Sequence, residues 1–299
     1  MRLFIYLLIA FMVSACSQPV EKGIRKIATW NMKWLGTNSG NQLDAVENVS
    51  DYGNYIRGTG ATLFALQEIG ATHSVGGEPK CYYLDLIVAD LNEKTDGSDW
   101  KYIIDKVNKQ QRLAFLFKSN EWEVVADSSI RPGASFNYIR RPYLAVIKSK
   151  LPNTDYEFIF INVHLKAFPD ATEKRRANFT ELAKWLQVSK IDSDVLIAGD
   201  TNLFEGESDV DDALESIGYK PLYDREISSI HEYKLSQRFD RFFASPGILD
   251  EINRAKEVLG EADYIDVIKE NDDGFLRWFD DNISDHFPVV LNIDVSKNR

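Results

Sequence analysis

The sequence has 299 residues, of which 44% are hydrophobic and 27% charged, a globular composition that excludes a disordered or collagen-like chain. This length is enough for one large domain or two small ones, and two cysteines exclude a disulfide scaffold. The 35 Lys and Arg against 46 Asp and Glu give a net charge of -11, which makes the chain a poor non-specific binder of nucleic acid.

The first residues have the layout of a secretory signal. Arg2 is the one charge in residues 1–15, and the uninterrupted apolar run over residues 3–13 is short for a membrane span. The run ends in Val13-Ser14-Ala15-Cys16, which resembles the lipobox of bacterial lipoproteins. We therefore predict a signal at 1–15, a tether at 16–23 with lipid on Cys16, and a domain over 24–299. A simple secretory signal or a membrane anchor is the alternative.

The lipobox resemblance implies an exported protein that the N-terminal lipid holds on a membrane, facing the periplasm or the cell surface. Cys81 would then have no cysteine partner within the chain. An unpaired thiol of this kind is expected to be buried as a small apolar side chain.

Nine short apolar segments are rich in the Ile, Val, Phe and Tyr that strands prefer. They are Lys26–Trp30, Leu63–Ile69, Tyr102–Val107, Leu113–Lys118, Tyr143–Lys148, Glu157–Leu165, Val195–Gly199, Phe239–Ala244 and Pro288–Val295. Helical periodicity is clear at 84–91 and 179–186 and weaker at 44–56 and 210–217. Loops are predicted at 37–41, 72–79 and 227–234. Strands and helices are intermixed along the whole chain, which predicts one α/β domain with mixed strand direction.

Polar side chains stand at the ends of five of these strands. In chain order they are Asn31, Glu68, His164, the pair Asp200 and Asn202, and the pair Asp285 and His286. Ligand sites of α/β sheets form at strand ends, where distant parts of the chain converge, so we expect these side chains to meet.

Each of these residues also has a structural interpretation. Alone, Glu68 would more often be a solvated strand end, and Gly-Asp-Thr-Asn at 199–202 would more often be a turn. His164 could be a core histidine that the backbone satisfies, and Asp285-His286 a polar turn before a strand. Their ordered combination favours a functional site.

That order resembles the endonuclease/exonuclease/phosphatase superfamily. The matching segments are Trp30-Asn31-Met32, Gln67-Glu68, Asn162-Val163-His164, Gly199-Asp200-Thr201-Asn202, Phe239-Asp240-Arg241 and Ser284-Asp285-His286-Phe287-Pro288. Within it the pancreatic deoxyribonuclease branch is the most similar, through Gln111–Phe117 and Arg140-Arg141-Pro142. The resemblance covers residues 24–295 and implies a four-layer α/β sandwich, in which two packed mixed β-sheets are flanked by helices.

The resemblance also implies a site that hydrolyses phosphate esters with a divalent cation, Mg²⁺ first and Mn²⁺ or Ca²⁺ as alternatives. The implied metal ligands are oxygen donors, as Mg²⁺ requires: Asn31, Glu68 and Asp285. The implied catalytic residues are His164, Asp200, Asn202, Asp240 and His286. His286 would be the base, oriented by Asp240. Asp200 and Asn202 would position water, the phosphate or a second metal.

His164 would donate a hydrogen bond or a proton to the phosphate or the leaving group. Arg112 and Arg141 would contact phosphate oxygens, for which a planar guanidinium is suited.

The sequence departs from the deoxyribonuclease pattern in three places. Gly70 stands where that branch has a groove-binding arginine, Arg141 replaces the glutamate of Arg-Glu-Pro, and the branch's disulfide cannot form. Groove contacts would have to come from elsewhere, and a basic set is available at Arg140, Arg141, Lys166, Lys174, Arg175 and Arg176. A solvated helix start is the alternative for the last three.

The favoured function is a metal-dependent phosphodiesterase that cleaves nucleic acid, DNA first, as a monomeric endonuclease. The alternative is a phospholipid or inositol-phosphate phosphodiesterase or phosphatase, which exposed aromatic residues at Phe275, Trp278 and Phe279 would favour. A catalytically inert binding protein is the third interpretation. It is disfavoured because every key carboxylate and histidine of the motifs is present.

Overall fold

A computed structural model gives the fold of the chain. It describes residues 23–36, 48–70, 72–95, 97, 99–108, 111–135, 140–189, 191, 194–207, 209–222, 227–259, 265–267 and 273–296. The predicted signal, Cys16, the tether up to residue 22 and the predicted loop at 37–41 lie outside these residues. No helix within the described ranges has the length and apolar character needed to cross a bilayer.

Two six-stranded sheets of mixed direction form the centre of the fold. The first has, in spatial order, β15 (Ile265–Val267), β16 (Val289–Asp294), β1 (Ile24–Leu35), β2 (Leu63–Ile69), β6 (Arg112–Lys118) and β5 (Trp100–Ile104). The second has β11 (Lys220–Leu222), β14 (Asp240–Ala244), β10 (Val195–Asp200), β9 (Glu157–His164), β8 (Tyr143–Ser149) and β7 (Trp122–Ser129). Two small hairpins are separate: β3 (Thr72–Val75) with β4 (Glu78–Cys81), and β12 (Ile230–His231) with β13 (Lys234–Leu235).

Helices cover the outer faces of both sheets. They are α1 (Val49–Thr59), α2 (Tyr82–Lys94), α3 (Thr172–Val188), α4 (Asp212–Glu215), α5 (Pro246–Leu259) and α6 (Asp273–Asn282), with a 3-10 turn at Pro169–Ala171. Successive side chains of β9 point to opposite faces of its sheet and so enter two different hydrophobic cores. Phe158 and Phe160 join the core shared by the two sheets, whereas Ile159 and Ile161 join a second core with α3. The architecture is the predicted sandwich of two mixed sheets flanked by helices.

All nine predicted strands are present, with ends shifted by a few residues. The helices at 84–91 and 179–186 are confirmed within α2 and α3, and the burial of Cys81 is also confirmed. The weaker helices correspond to α1 and to the short α4, although residues 44–47 lie outside the described ranges.

Several elements of the structure were not predicted from the sequence. Strand β7 is a largely exposed edge strand, so its sequence has no apolar run. The predicted loop at 72–79 is instead the hairpin β3–β4, whose two connecting glycines, Gly76 and Gly77, both have positive φ. Gly-Gly between two short strands is a known hairpin signal. Helices α5 and α6 were not predicted, and the hairpin β12–β13 begins within the predicted loop at 227–234 and ends one residue beyond it.

The aromatic residues that would have favoured a lipid substrate lie on α6. Phe279 is fully buried and stacks on Phe287 at 4.5 Å between ring centroids, and Phe275 packs on Phe279 at 5.6 Å. Trp278 alone of the three is well exposed, at 39%. Two of the three rings therefore belong to the core, and this support for a lipid substrate is lost.

Candidate active site

Polar side chains from both sheets converge at the ends of the central strands. In the first sheet, Asn31 lies on β1 beside the parallel strand β2, which carries Glu68. In the second sheet, Asp200 of β10 lies opposite His164 of β9 on one side and Asp240 of β14 on the other. Asn31 Nδ2 donates to Asp200 Oδ2 at 2.9 Å, so a hydrogen bond joins the two sheets at this point.

Two other motif residues join the sheets beneath the site. Gln67 Nε2 donates to Asn162 Oδ1 at 2.8 Å. Asn162 Nδ2 in turn donates to the backbone oxygens of Leu66 and Ala114, at 2.9 and 3.0 Å. These buried amides fix the relative position of the sheets, and hence of the side chains that meet above them.

The carboxylate of Asp200 is the centre of the cluster. Besides Asn31, its Oδ2 lies 3.5 Å from His164 Nε2 and 4.0 Å from His286 Nε2. Its Oδ1 accepts a hydrogen bond from the backbone N–H of Asn202 at 3.0 Å. Because the side chain is buried and held on both oxygens, its orientation is fixed.

His286 is oriented by Asp240, as the sequence analysis expected. The Nδ1 atom of His286 lies 2.7 Å from Asp240 Oδ2. Ser228 Oγ donates to the same oxygen at 2.8 Å and accepts from the backbone N–H of Asp240 at 3.2 Å. This arrangement makes Nδ1 the donor and turns Nε2 of the ring toward Asp200.

Glu68 is held by a left-handed turn at the end of β1. Its Oε1 accepts from Asn31 Nδ2 at 3.3 Å and its Oε2 from the backbone N–H of Trp34 at 3.0 Å. Lys33, Trp34 and Glu68 all have positive φ, between 44° and 59°. Such values are unfavourable for residues with a side chain, and their concentration here is typical of a functional site.

The Gly-Asp-Thr-Asn motif is strained in the same way. Asn202 has φ +51 and Gly199 has φ +148. A Cβ on Gly199 would lie 1.9 Å from the backbone oxygen of Val163 on the neighbouring strand. The side-chain Nδ2 of Asn202 donates to the backbone oxygen of Leu165 at 3.2 Å, so it is held against β9.

Burial and mutual repulsion dominate the ionisation of the carboxyls. Burial, reinforced by the charge of Asp285, raises the pKa of Glu68. Burial and the charge of Asp240 raise the pKa of Asp200 to about 7, although His286 opposes this shift. Asp200 can therefore change its protonation state close to neutral pH.

The two histidines are shifted in opposite directions. Burial, followed by the charges of Arg140 and His286, holds the pKa of His164 well below its usual value. Burial alone would also lower the pKa of His286, but the charges of Asp240 and Asp200 raise it well above the usual value. The surroundings therefore favour the neutral form of the His164 imidazole and the protonated form of the His286 imidazole.

One group in this cluster could hold a metal ion. Glu68, His164 and Asp200 each offer a ligand atom, and these atoms all lie within 4.8 Å of one another. The set shares Glu68 with the ligands that the resemblance implied, while Asp285 acts on Glu68 through its charge. Carboxylate oxygens and a neutral imidazole are suitable donors for a divalent cation, which would also relieve the repulsion between the carboxylates.

The arginine whose charge reaches the cluster is Arg140. Its side chain makes no direct contact with the carboxylates, but its charge acts on Glu68, Asp200 and His164. Its Nε donates to Gln111 Oε1 at 2.9 Å. The sequence indicated Arg140 only as part of the basic set, because Arg140-Arg141-Pro142 gave no means of choosing between two adjacent arginines.

The arginines predicted to bind phosphate make backbone contacts. Arg112 Nη1 donates to the backbone oxygen of Asp105 at 2.6 Å. The side chain of Asn108 holds the backbone of Arg141. Its Oδ1 accepts from the Arg141 backbone N–H at 2.9 Å, and its Nδ2 donates to the Arg141 backbone oxygen at 3.0 Å. Their contact with phosphate stays a prediction.

Within the basic set, Arg175 is fully buried, which neither predicted interpretation anticipated. Its Nη1 donates to the backbone oxygens of Lys166 and Phe168, both at 2.8 Å, and its Nη2 pairs with Glu207 at 2.6 Å. Arg176 pairs with Asp209 at the surface, at 2.9 Å. Arg175 therefore holds loops together and does not offer its charge to a ligand.

Ser228 is a further residue that the sequence did not single out. It lies in a predicted loop, and its contact with Asp240 spans twelve residues of chain. No motif around Ser228 indicated this role, so only the folded structure could identify it.

No protein-family model matches the chain, and no curated protein matches its sequence significantly. Solved structures do match over nearly the whole chain. D. rerio TDP2 complexed with a single-strand DNA product is 14% identical, covers 91% of this chain and 99% of its own, and superposes with a TM-score of 0.60. An endonuclease/exonuclease/phosphatase from Bacteroides vulgatus is 15% identical, covers 91% of this chain and 99% of its own, and superposes with a TM-score of 0.60.

A Bacteroides thetaiotaomicron mannosyl-6-phosphatase is 15% identical, covers 89% of this chain and 98% of its own, and gives a TM-score of 0.55. At these identities the likeness is one of fold. The chain has the fold of endonuclease/exonuclease/phosphatase proteins, as the order of its motifs predicted.

Proposed function

We propose that the chain is a member of the endonuclease/exonuclease/phosphatase superfamily that hydrolyses phosphodiesters in nucleic acid, most of all as a DNA endonuclease of the deoxyribonuclease-like branch. The observation that carries this proposal is the meeting of Asn31, His164 and His286 around a single buried oxygen of Asp200. These three residues come from β1, from β9 and from just before β16. A cluster of this kind serves no packing purpose, because each buried charge costs free energy.

The ionisation states suggest a distribution of roles. Asp200, with a pKa of about 7, takes a proton from the attacking water. His286, as an imidazolium held by Asp240, donates from Nε2 to an oxygen of the phosphoryl group. The sequence instead predicted His286 as the base, and that assignment stays the alternative to Asp200. Neutral His164 donates a hydrogen bond to the phosphate or the leaving oxygen, as the resemblance implied.

A divalent cation fits beside Glu68, the ligand common to both candidate sets. Asn31 and Asp285 would be its further ligands, which leaves Asp200 and His164 available for the roles above. When bound, it would supply positive charge to the phosphoryl oxygens and the leaving oxygen. Mg²⁺ is the expected ion, and Mn²⁺ and Ca²⁺ are the alternatives. A neighbour of this fold holds a single-strand DNA product, which supports nucleic acid as the substrate class.

The direct test is incubation of the purified protein with supercoiled plasmid and Mg²⁺, Mn²⁺ or Ca²⁺ in turn. We expect nicked and then linear DNA, and we expect EDTA to abolish cleavage. Glu68→Gln should need roughly 10-fold more metal for half-maximal rate, since Asn31 and Asp285 remain as ligands. Glu173→Gln, an exposed carboxylate on α3, is the matched control. No cleavage of the plasmid or of a single-stranded oligonucleotide with any of the three cations would refute the endonuclease proposal.

A second candidate keeps the chemistry and changes the substrate to a phosphomonoester or a phospholipid headgroup. The likeness to a mannosyl-6-phosphatase supports it, since the same fold serves a sugar phosphate there. Release of inorganic phosphate or phosphocholine, together with intact plasmid, would select this candidate.

We also propose that the protein is an exported, monomeric lipoprotein, anchored through Cys16. The support is the sequence Val13-Ser14-Ala15-Cys16 after an apolar run. Expression in a bacterium with radiolabelled palmitate should label the protein, and Cys16→Ala should remove the label while Cys81→Ala does not. Equal labelling of the wild-type protein and Cys16→Ala would contradict the anchor.

A further inference from the structure

Three phenylalanines lie on loops at one edge of the second sheet. Phe168 follows β9, Phe204 follows β10, and Phe239 directly precedes β14. Strands β9 and β10 are parallel and β14 is antiparallel to β10, so these three loops lie at the same edge. It is the edge that carries His164 and Asp200.

Two of the rings, Phe239 and Phe204, extend in turn from the imidazole of His286. The ring of Phe239 lies 6.1 Å from that of His286 at an interplanar angle of 31°, and Phe204 contacts Phe239 edge to face at 5.0 Å. Phe204 and Phe239 are half-buried, and Phe168 is 62% exposed. All three residues are therefore at least partly accessible, and Phe239 is the one that contacts His286.

Arg175 fixes two of the three loops. Its hydrogen bonds to the backbone oxygens of Lys166 and Phe168 hold the loop after β9. Its guanidinium lies 5.2 Å from the centre of the Phe204 ring, and its ion pair with Glu207 holds the loop after β10. A buried arginine thus determines where both rings stand.

Phe239 is fixed from the other side. Its backbone oxygen accepts hydrogen bonds from both the N–H and the Oγ1 of Thr201, each at 2.8 Å. The backbone N–H of Glu205 donates to Gln237 Oε1 at 3.2 Å, which joins the same two loops. The three loops are therefore tied to one another, and rings held in this way bind a planar group with little loss of entropy.

We propose that Phe168, Phe204 and Phe239 form a stacking site for unpaired nucleobases, so that the preferred substrate is a single-stranded nucleic acid. The inference rests on the proposed function and specifies its substrate. Aromatic rings bind bases through their faces, which a duplex keeps stacked on one another. With a net charge of -11, attraction to phosphates is weak, and stacking supplies affinity that charge does not.

The test uses the His286→Ala protein, which binds without cleaving, and two labelled single strands of equal length, one with bases and one abasic throughout. The two strands carry the same charge and differ only in the groups that can stack. We expect roughly 10-fold tighter binding of the strand with bases, the effect of about one stacking contact. Phe239→Leu and Phe168→Ser should each reduce this preference, by the same factor at low and high salt. Tyr82→Leu, a half-exposed aromatic on α2, should leave it unchanged.

Cleavage of the strand with bases by the wild-type protein is measured in parallel. Equal affinity for both strands, with cleavage intact, overturns the stacking site alone. A preference for bases without cleavage under any divalent cation keeps the stacking site and overturns the proposed function. Binding to phosphatidylcholine vesicles that Phe168→Ser abolishes, with no preference for bases, would overturn the inference in favour of lipid. If His286→Ala does not fold, Asp200→Asn takes its place.

Discussion

Replacement of Asp200 by asparagine should lower kcat by about 10³-fold, the usual contribution of a general base. The amide keeps the shape of the side chain and can still contact Asn31, His164 and His286, but it cannot take a proton from water. KM should change little, because the substrate is bound by other groups. The measurement is a steady-state rate on plasmid or oligonucleotide at saturating metal.

The same substitution should make the metal-free protein more stable. Ionised Asp200 is buried near Asp240 and Glu68, and its pKa is raised from 3.8 to about 7. In the native state the carboxyl binds its proton more tightly than in the unfolded state, so stability falls as pH rises from about 4 to about 7. Asp200→Asn removes that dependence, and its Tm in EDTA should exceed that of the wild-type protein by roughly 2–5 °C at pH 8.

The difference in Tm between Asp200→Asn and the wild-type protein should shrink when the pH approaches 4, where the wild-type carboxyl is protonated in both the native and the unfolded state. It should also shrink when a divalent cation is added, because binding stabilises the wild-type protein. Asp209→Asn, at an exposed position, serves as the control and should alter neither kcat nor this pH dependence. An Asp200→Asn protein with nearly normal kcat would exclude Asp200 as the base.

Replacement of Gly199 by alanine should have the largest effect on folding. Gly199 lies directly opposite Val163 in the parallel pair β9–β10, and a Cβ there would lie 1.9 Å from the Val163 backbone oxygen. Backbone atoms in a buried ladder cannot move aside as a flexible side chain can. We expect a loss of about 4 kcal/mol or more in the free energy of unfolding, seen as a Tm lower by roughly 10 °C or as insoluble protein.

Gly58→Ala is the matched control. Gly58 is exposed in α1, and an added Cβ would have no heavy atom within 4 Å. Alanine is the better helix former, so this substitution should raise stability by about 0.5–1 kcal/mol. Urea denaturation of both variants separates the two effects. An unchanged midpoint for Gly199→Ala would contradict the close approach of β9 and β10.

The central strands could be predicted because they are buried on both faces. Strands β2, β9 and β10 are almost wholly buried, which requires nearly unbroken apolar sequence and makes such strands visible without a structure. The polar residues at their ends were visible for the same reason, as abrupt interruptions of those runs. Edge strand β7 and the two hairpins could not be recognised in this way, since their exposure leaves them polar.

The sequence by itself thus determined the sandwich fold and the convergence of Asn31, Glu68, His164, Asp200, Asp240 and His286. Apart from the pairing of Asp240 with His286, only the tertiary structure decided which neighbours these side chains have, and hence the direction in which their pKa values shift. Ser228 became the second partner of Asp240, Arg140 the arginine that acts on the cluster, and Arg175 a buried support for two loops. The physical reason is that burial and contacts between distant residues set hydrogen bonding and pKa, whereas the sequence pattern reports only which strands are buried.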